Sequence, residues 1–449
     1  MPNKYAMIIK NDKRTINGWC LYDWANSVYS LVITTTIFPI YYSAVTRQAF
    51  GSEIVSFFGM HLSNTILYSY SISFSFLLIA VLSPLLSGIA DYGGKKKLFM
   101  KAFTYLGSLS CMMLYFFTGQ NIEFGILFAV LASIGFAGSI VFYNAYLPII
   151  ATPDQYDLVS ARGFSLGYAG SVILMVISLV AISKPQLFGI VSEALATRLS
   201  FVLVGIWWFG FAQITFRRLP AEKKVEAPMA TLLERGYREI RYVAGSLKNL
   251  RDLRLFLVAF FFYNMGVQTV IYLAALFGDS ELHLPAQSLI LTILIIQLVA
   301  IAGSYFFARL SSWKGNKISL IVMVLIWIMV CAYSFFMHTA FQFYVLGFVV
   351  GFVMGGIQSL SRATYSKLIP GQTSGYTSYF SFYDVVEKFS IVLGTFAYGL
   401  VEQMTGSMRN STLALSIFFV IGLFYLLRGK IPGGHASATN QKIFADSDI

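Results

Sequence analysis

The feature that most constrains this chain is the regular return of apolar runs long enough to cross a lipid bilayer. The first run begins after Gly18 and continues through LVITTTIFPIYY, with Asp23 as its only charged residue. About 20 consecutive apolar residues are enough for a helix to span the hydrocarbon core. Runs of this kind fill most of the 449 residues, and they predict an all-α membrane protein with 12 transmembrane helices.

The predicted spans form two groups of six, separated by the one long charged stretch inside the chain. The spans are predicted at residues 19–43, 65–90, 98–118, 123–149, 161–183, 199–216, 255–277, 287–310, 318–337, 342–368, 378–402 and 411–428. We interpret residues 19–216 and 255–428 as two six-helix bundles and residues 217–254 as a cytoplasmic linker. Residues 1–18 and 429–449 are then cytoplasmic tails.

Composition and charge agree with a membrane location. The chain is 57% hydrophobic and 12% charged, whereas a soluble domain is about 45–50% apolar and 25% charged. Lys and Arg concentrate in alternate loops, and basic loops stay on the cytoplasmic side. This predicts cytoplasmic termini in a bacterial inner membrane, or in a vacuolar membrane if the source is eukaryotic. The net charge of +12 then faces anionic lipid and needs no nucleic-acid partner.

Motifs for enzymatic chemistry are not found in the sequence. The 3 cysteines and 4 histidines lie apart, without the spacing of a disulfide framework or a metal site. Neither a phosphate-binding glycine loop followed by Lys-Ser/Thr nor a nucleophile elbow occurs. We therefore expect no enzyme activity, no cofactor and no metal.

Polar residues form a stripe along the first span. Asp23, Asn26, Ser27, Ser30 and Thr34 follow each other at steps of three and four, which places them on one face of a helix. Two interpretations of Asp23 are open. It is a helix-end residue that reaches the interface, or it belongs to a stripe beside a solute-accessible cavity.

Span eleven carries the most costly charges, in the stretch SFYDVVEKFSIVLG. Asp384, Glu387 and Lys388 lie within it, and a central Asp, Lys or Arg costs about 2.5–3.5 kcal/mol on the insertion scale. Asp384 and Lys388 stand at i,i+4, the favoured order for a pair on one helix face. Either this is a buried ion pair that only holds the helix in place, or one of the acids responds to protons or solute.

The turn after span two supplies a motif. The stretch LLSGIADYGGKKKLFM combines Gly88, Asp91, a glycine turn and a run of lysines. In this order, and between spans two and three, it resembles the signature loop of the major facilitator superfamily. The corresponding stretch of the second half, AGSYFFARLSSWKGNK, has no aspartate. The resemblance implies a secondary carrier that works by alternating access, with Asp91 acting in gating.

In that superfamily spans one, four, seven and ten line the central path, and each of these spans carries polar residues here. The candidates for the solute path are Asp23, Asn26, Ser27, Ser30, Tyr143, Asn144, Asn264, Gln268, Gln358 and Arg362. The candidates for coupling or gating are Asp91, Asp384, Glu387 and Lys388. For Arg362 and Lys367 a second interpretation is open, since both also suit the anchoring of a helix end.

A narrower resemblance rests on four stretches, in both halves of the chain. GWCLYDWANSVYSLVITTTIFPIYY, FYNAYLPIIA, FLVAFFFYNMGVQTVIY and GGIQSLSRATYSKLIP resemble the vacuole-effluxer branch, the autophagy-associated amino-acid effluxers and their bacterial relatives. The resemblance implies efflux of small solutes such as amino acids. The coupling ion stays open, and protons are the candidate. One departure is Met265, where an acidic residue is expected. A non-transporting membrane sensor or scaffold on a carrier fold is the alternative function.

Two further patterns each allow two interpretations. Apolar residues of the linker, Leu233, Ile240, Val243 and Leu247, recur at near-helical spacing, as in a helix on the membrane surface or in a solvated tether. Gly347, Gly351 and Gly355, in span ten, are spaced by four. Such a strip allows close helix contact, either as fixed packing or as a sliding surface.

Overall fold

The computed structural model describes residues 9–220, 222, 228–371, 373 and 375–431. Of the predicted N-terminal tail, residues 9–18 are described. Of the predicted C-terminal tail, residues 429–431 are described, and the rest lies outside the described residues. Long helices make up nearly all of the described chain.

The first half consists of eight α-helices, a π-wound segment and a short hairpin. Their bounds are α1 Lys13–Val28, the π segment Tyr29–Thr36, α2 Ile37–Phe50, β1 Ile54–Phe57, β2 Met60–Ser63, α3 Asn64–Gly93, α4 Lys96–Met113, α5 Ile122–Asn144, α6 Leu147–Ile150, α7 Tyr156–Ser183 and α8 Glu193–Arg218. Short 3-10 turns follow at Leu114–Phe116 and Pro185–Phe188. The first span is therefore made of three parts, α1, the π segment and α2.

The second half begins with a linker helix and continues with six long helices. Their bounds are α9 Met229–Asn249, α10 Arg251–Leu282, α11 Ala286–Lys314, α12 Asn316–Phe335, α13 Ala340–Leu368, α14 Tyr376–Thr405 and α15 Met408–Arg428. Here span seven is a single unbroken helix, α10.

The helices agree with the predicted all-α membrane architecture. In the described part of the chain, 11 helical segments are long and apolar enough to cross a membrane. The 30-residue α14 is as long as these, but Asp384, Glu387 and Lys388 make it more polar. With α14 the set corresponds to the predicted spans. The hairpin β1–β2 is an addition that the sequence reasoning did not predict; its strands turn at Phe58 and Gly59, both with positive φ.

The described residues pack as two compact units. The first contains Asn17–Asn144 and Leu166–Tyr237, and the second contains residues 9–16, Ala145–Ser165 and the residues from Arg238 onward. The start of α7 thus belongs to the second unit and the rest of α7 to the first.

Close glycine contacts set the helix packing inside each unit. In the first unit Gly107 of α4 faces Gly135 of α5. In the second unit Gly351 and Gly355 of α13 face the backbone of α11 so closely that a Cβ atom would meet a carbonyl oxygen. The predicted glycine strip of span ten is therefore a packing surface for span eight.

The linker contains a helix, α9, whose buried side packs against protein. Leu232 and Val243 are buried, while Leu233 is 41% exposed. In the first unit Gly236 of α9 lies directly against Gly88. In the second unit Ser246 and Tyr379 share a 2.7 Å hydrogen bond between their hydroxyls. The described part of the linker is thus helical over α9, with Leu232 and Val243 buried.

Candidate functional site

The carboxylate of Asp23 is buried in the first unit and bonded by an aromatic neighbour. The Tyr143 hydroxyl donates a 2.8 Å hydrogen bond to Oδ2 of Asp23. Trp19 stacks on the Tyr143 ring at 4.4 Å between ring centroids, and its indole N–H donates to the Tyr143 carbonyl at 2.9 Å. Asp23 is 4% exposed. The α1 and α5 helices therefore hold this carboxylate well inside the protein, in a fixed position.

The neighbouring polar residues of the first span differ in exposure. Asn26 is buried, and its Nδ2 has no hydrogen-bond partner among the described residues. Ser27 donates to Asn26 Oδ1 at 3.3 Å and lies under Gly167 of α7. Ser30 and Thr34 are half-buried. The predicted stripe thus runs from Ser27 in α1 into the π segment, which contains the half-buried residues Ser30 and Thr34.

The structure brings the polar residues of span seven to the charges of span eleven. Asn264 of α10 donates to Ser390 of α14 at 2.6 Å, and Gln268 donates to Glu387 at 3.5 Å. Lys388 lies 3.2 Å from Asp384 and 3.8 Å from Glu387. Two carboxylates therefore share one ammonium within the second unit.

The two acids of α14 differ in their access to solvent. The side chain of Asp384 is 3% exposed and that of Glu387 is 23% exposed. Asp384 is also the nearer partner of Lys388. Asp384 is therefore the more deeply buried counterion of Lys388, and Glu387 is the more exposed one.

Arg362 contacts residues at the start of α7, which lies in the same unit. Its Nε and one terminal nitrogen donate to the hydroxyl and carbonyl of Ser160 at 2.9 and 3.0 Å. Its guanidinium lies over the ring of Phe164 at 4.2 Å from the centroid. These contacts agree with the anchoring interpretation of Arg362. Asn144 is buried and Gln358 half-buried, and neither lies among the residues of the charge cluster on α14.

Asp91, in the last turn of α3, forms an ion pair with the first residue of α4. Its carboxylate lies 3.0 Å from Nζ of Lys96, and the carboxylate side chain is 1% exposed. Gly94 ends α3 with φ +61, a conformation that favours glycine. The Lys96 backbone N–H donates to Glu222 at 2.8 Å, and the Lys97 ammonium donates to the Leu219 carbonyl at 2.8 Å. The signature loop is thus tied to the start of the linker.

A second polar cluster was missed by the sequence reasoning. Asp157 at the start of α7 accepts hydrogen bonds from Lys367 at 2.7 Å, from Asn316 at 2.8 Å and from Ser311 at 2.8 Å. Asn316 begins α12, at the turn that corresponds to the signature loop. Asp157 therefore supplies, from another helix, the carboxylate that the second-half motif lacks. The predicted span five began at residue 161, and that boundary left Asp157 in a loop.

The described residues contain no group of three or more His, Cys, Asp or Glu side chains that could hold a metal ion. The acidic side chains named above contact Lys, amide or hydroxyl groups.

The combination of paired polar spans and a signature turn agrees with a comparison of the sequence with known families. The model of a family described as "Vacuole effluxer Atg22 like" matches residues 11–438. The chain belongs to this vacuole effluxer family. The resemblance stated from the sequence is confirmed, and the protein is a membrane transporter of the major facilitator type.

Relatives of this chain match it over almost its whole length. An uncharacterized MFS-type transporter, YxiO, of Bacillus subtilis (strain 168) is 34% identical and covers 93% of this chain and 95% of its own length. Autophagy-related protein 22-1 of Penicillium rubens is 22% identical, over 95% of this chain and 91% of its own length. The sequence similarity thus extends over nearly the full length of a bacterial and a fungal relative.

Solved structures show the same fold. The transporter FucP matches 93% of this chain and 98% of its own, with a TM-score of 0.66 and 14% identity. The proton:xylose symporter XylE matches 96% of this chain and 98% of its own, with a TM-score of 0.67 and 12% identity. The predicted major-facilitator-type fold is confirmed by these similarities.

Proposed function

We propose that this protein is a secondary active transporter that exports amino acids by alternating access, in exchange for protons. The observation that carries the proposal is the charge cluster of α14, where Lys388 has one buried and one accessible carboxylate. A charged group inside a membrane protein is costly and marks a solute or ion pathway by default. Glu387 is the member of the cluster that can change its partner.

Exchange follows from the chemistry of one carboxylate. The ionised Glu387 side chain attracts the ammonium group of an amino acid, and the protonated side chain does not. A proton and a solute ammonium therefore compete for the same oxygen atoms. Because only one of the two is bound at a time, movement of a proton in one direction is coupled to movement of the amino acid in the other.

The neighbouring side chains support this assignment. Gln268 lies 3.5 Å from Glu387 and can hydrogen-bond either form of the acid. Asp384 keeps Lys388 neutralised at 3.2 Å, so the lysine does not lose both of its counterions when Glu387 takes a proton. Asp23, bonded by Tyr143 in the first unit, is the second carboxylate proposed for the path.

The direction of transport and the membrane that contains the protein are part of the same proposal. We place the protein in the cell membrane with both termini in the cytoplasm, because the basic loops alternate in that sense along the sequence. Protons that enter the cell down their gradient would then drive amino acids outward. The description of the family as effluxers supports export.

The test is a flux assay in proteoliposomes. Vesicles loaded with isotope-labelled amino acids are diluted into buffers of different pH, and release is followed by mass spectrometry. We expect release to speed up when the outer buffer is acidic and Glu387→Gln to lose that acceleration. Glu402→Gln, on the same helix, is the matched control and should keep it. If release at every pH is no faster than from loaded vesicles that lack the protein, transport of amino acids is contradicted and the sensor alternative is favoured.

A further inference from the structure

The first span is wound differently at its centre from the rest of the described spans. Tyr29–Thr36 is a π-helix, in which backbone N–H groups bond five residues back instead of four. The N–H of Ile37, for example, donates to the carbonyl of Val32. π-Helical turns are rare and occur frequently at functional sites. This one lies where the half-buried Ser30 and Thr34 continue the polar stripe.

The local sequence explains the winding. Pro39 has no N–H to offer the carbonyl of Thr35, and a proline ring crowds the carbonyl four residues earlier. Thr36 takes φ −129 and ψ −74, outside the helical region. The Thr35 hydroxyl donates to the carbonyls of Ser30 at 3.2 Å and Leu31 at 2.9 Å. The Thr35 hydroxyl therefore adds hydrogen bonds to two carbonyls of the segment, beside its π-type backbone bonds.

Both ends of the span are held by neighbouring elements of the first unit. At the start, Tyr143 bonds Asp23, and Thr215 of α8 donates to the Gly18 carbonyl at 2.7 Å. At the far end, Tyr41 donates to the Phe117 carbonyl at 2.8 Å and Tyr42 donates to the Asn64 carbonyl at 3.1 Å. When both ends of a helix are held by neighbouring elements and its centre is π-helical, the backbone conformation changes most easily at the centre.

We propose that the π segment Tyr29–Thr36 is the hinge of span one. During the transport cycle the π winding moves along the segment or converts to α winding while α1 and α2 remain docked. A change of register by one residue turns a helical side chain by about 100° around the axis. Ser30 and Thr34 would thereby turn toward or away from the solute path. The corresponding span seven, α10, is continuous and has no such element.

Hydrogen–deuterium exchange of the whole protein in nanodiscs tests the hinge. In the wild type, amides of residues 29–36 should exchange faster than those of residues 263–270 in α10. Pro39→Ala restores the missing N–H, so exchange of the segment should slow by about fivefold, the factor for one net hydrogen bond. Pro84→Ala is the control, since Pro84 lies inside the continuous helix α3 and its replacement should leave residues 29–36 unchanged.

Side-chain facing gives a second readout, in a chain whose three cysteines are replaced by alanine. Thr34→Cys should react with a small water-soluble thiol reagent, and the added substitution Pro39→Ala should change the rate of that reaction. The labelling rate of Ser27→Cys, in α1, should be the same with and without Pro39→Ala. Unchanged exchange and unchanged labelling in Pro39→Ala would overturn the hinge. If Pro39→Ala fails to fold, the wild type alone decides. The hinge is overturned if amides of residues 29–36 exchange no faster than those of residues 263–270.

Discussion

The Tyr143 hydroxyl donates to the Asp23 carboxylate at 2.8 Å, across 120 positions of the sequence. This bond joins the end of α5 to the first span and fixes a charge that the sequence shows only as one acid in an apolar run. It also places a carboxylate, a tyrosine and the neighbouring Asn26 amide in one buried region of the first unit.

Neutralising Asp23 should change transport more than folding. Asp23→Asn keeps the size of the side chain and its ability to accept from Tyr143, but removes the charge. We expect the size-exclusion profile to stay the same and the pH dependence of flux to change. The measurement is flux across a pH series in vesicles, normalised to folded protein. Wild-type flux and pH dependence in Asp23→Asn would show that the residue only supports the helix.

Removing the Tyr143 hydroxyl should destabilise the first unit. Tyr143→Phe leaves the buried Asp23 carboxylate with one bond fewer, and a hydrogen bond to a charged group contributes about 1.5–3 kcal/mol. Tyr22→Phe is the matched control, because its partner Thr104 also donates to the Met100 carbonyl. We expect a lower melting temperature for Tyr143→Phe than for Tyr22→Phe. Equal melting temperatures would argue against a buried charge at Asp23.

In the α14 cluster, removing one member of the Asp384–Lys388 ion pair should destabilise the protein more than removing both members. Asp384→Asn alone leaves the Lys388 ammonium without its nearer counterion, and breaking a buried pair costs about 3–5 kcal/mol. Asp384→Asn combined with Lys388→Met removes both charges and should recover much of the melting temperature. A double variant less stable than the single one would contradict the assignment of Asp384 as the counterion of Lys388.

The Asp157 cluster should contribute to the stability of the second unit. Asp157→Ala removes the acceptor shared by Lys367, Asn316 and Ser311, and we expect a loss of about 3–5 kcal/mol. The exposed pair of Arg47 and Glu53, with side chains 60% and 67% exposed, is the control. Breaking it by Arg47→Ala should cost less than about 1 kcal/mol. Similar melting temperatures for the two variants would contradict a structural role for Asp157.

The signature turn should affect the rate of transport rather than the affinity for solute. Asp91→Asn weakens the ion pair with Lys96 in a turn that we expect to favour one access state. Turnover in vesicles should fall while the concentration for half-maximal flux stays nearly constant. Asp279→Asn, at an exposed position of α10, should transport at the wild-type rate. A wild-type turnover in Asp91→Asn would rule out gating by this residue.

Much of the architecture and several site residues could be predicted from the sequence. The spans follow from runs of apolar residues, which are local features, and the charges of α14 stood out because they interrupt such a run. The i,i+4 pairing of Asp384 with Lys388 was also readable, since it needs only the periodicity of one helix. The π winding of span one was not predicted, although three consecutive threonines and Pro39 gave a local signal.

Hydropathy and periodicity by themselves determined that this chain is an all-α membrane protein and where its polar residues fall along each helix. Only the tertiary structure decided which polar residues meet. Lys367 reaches Asp157 across 210 positions, and Arg362 reaches Ser160 across 202. The physical reason is that a helix fixes the direction of a side chain within a few residues, whereas its partner depends on how distant helices pack. Glu387 differs from Asp384 in exposure for the same reason.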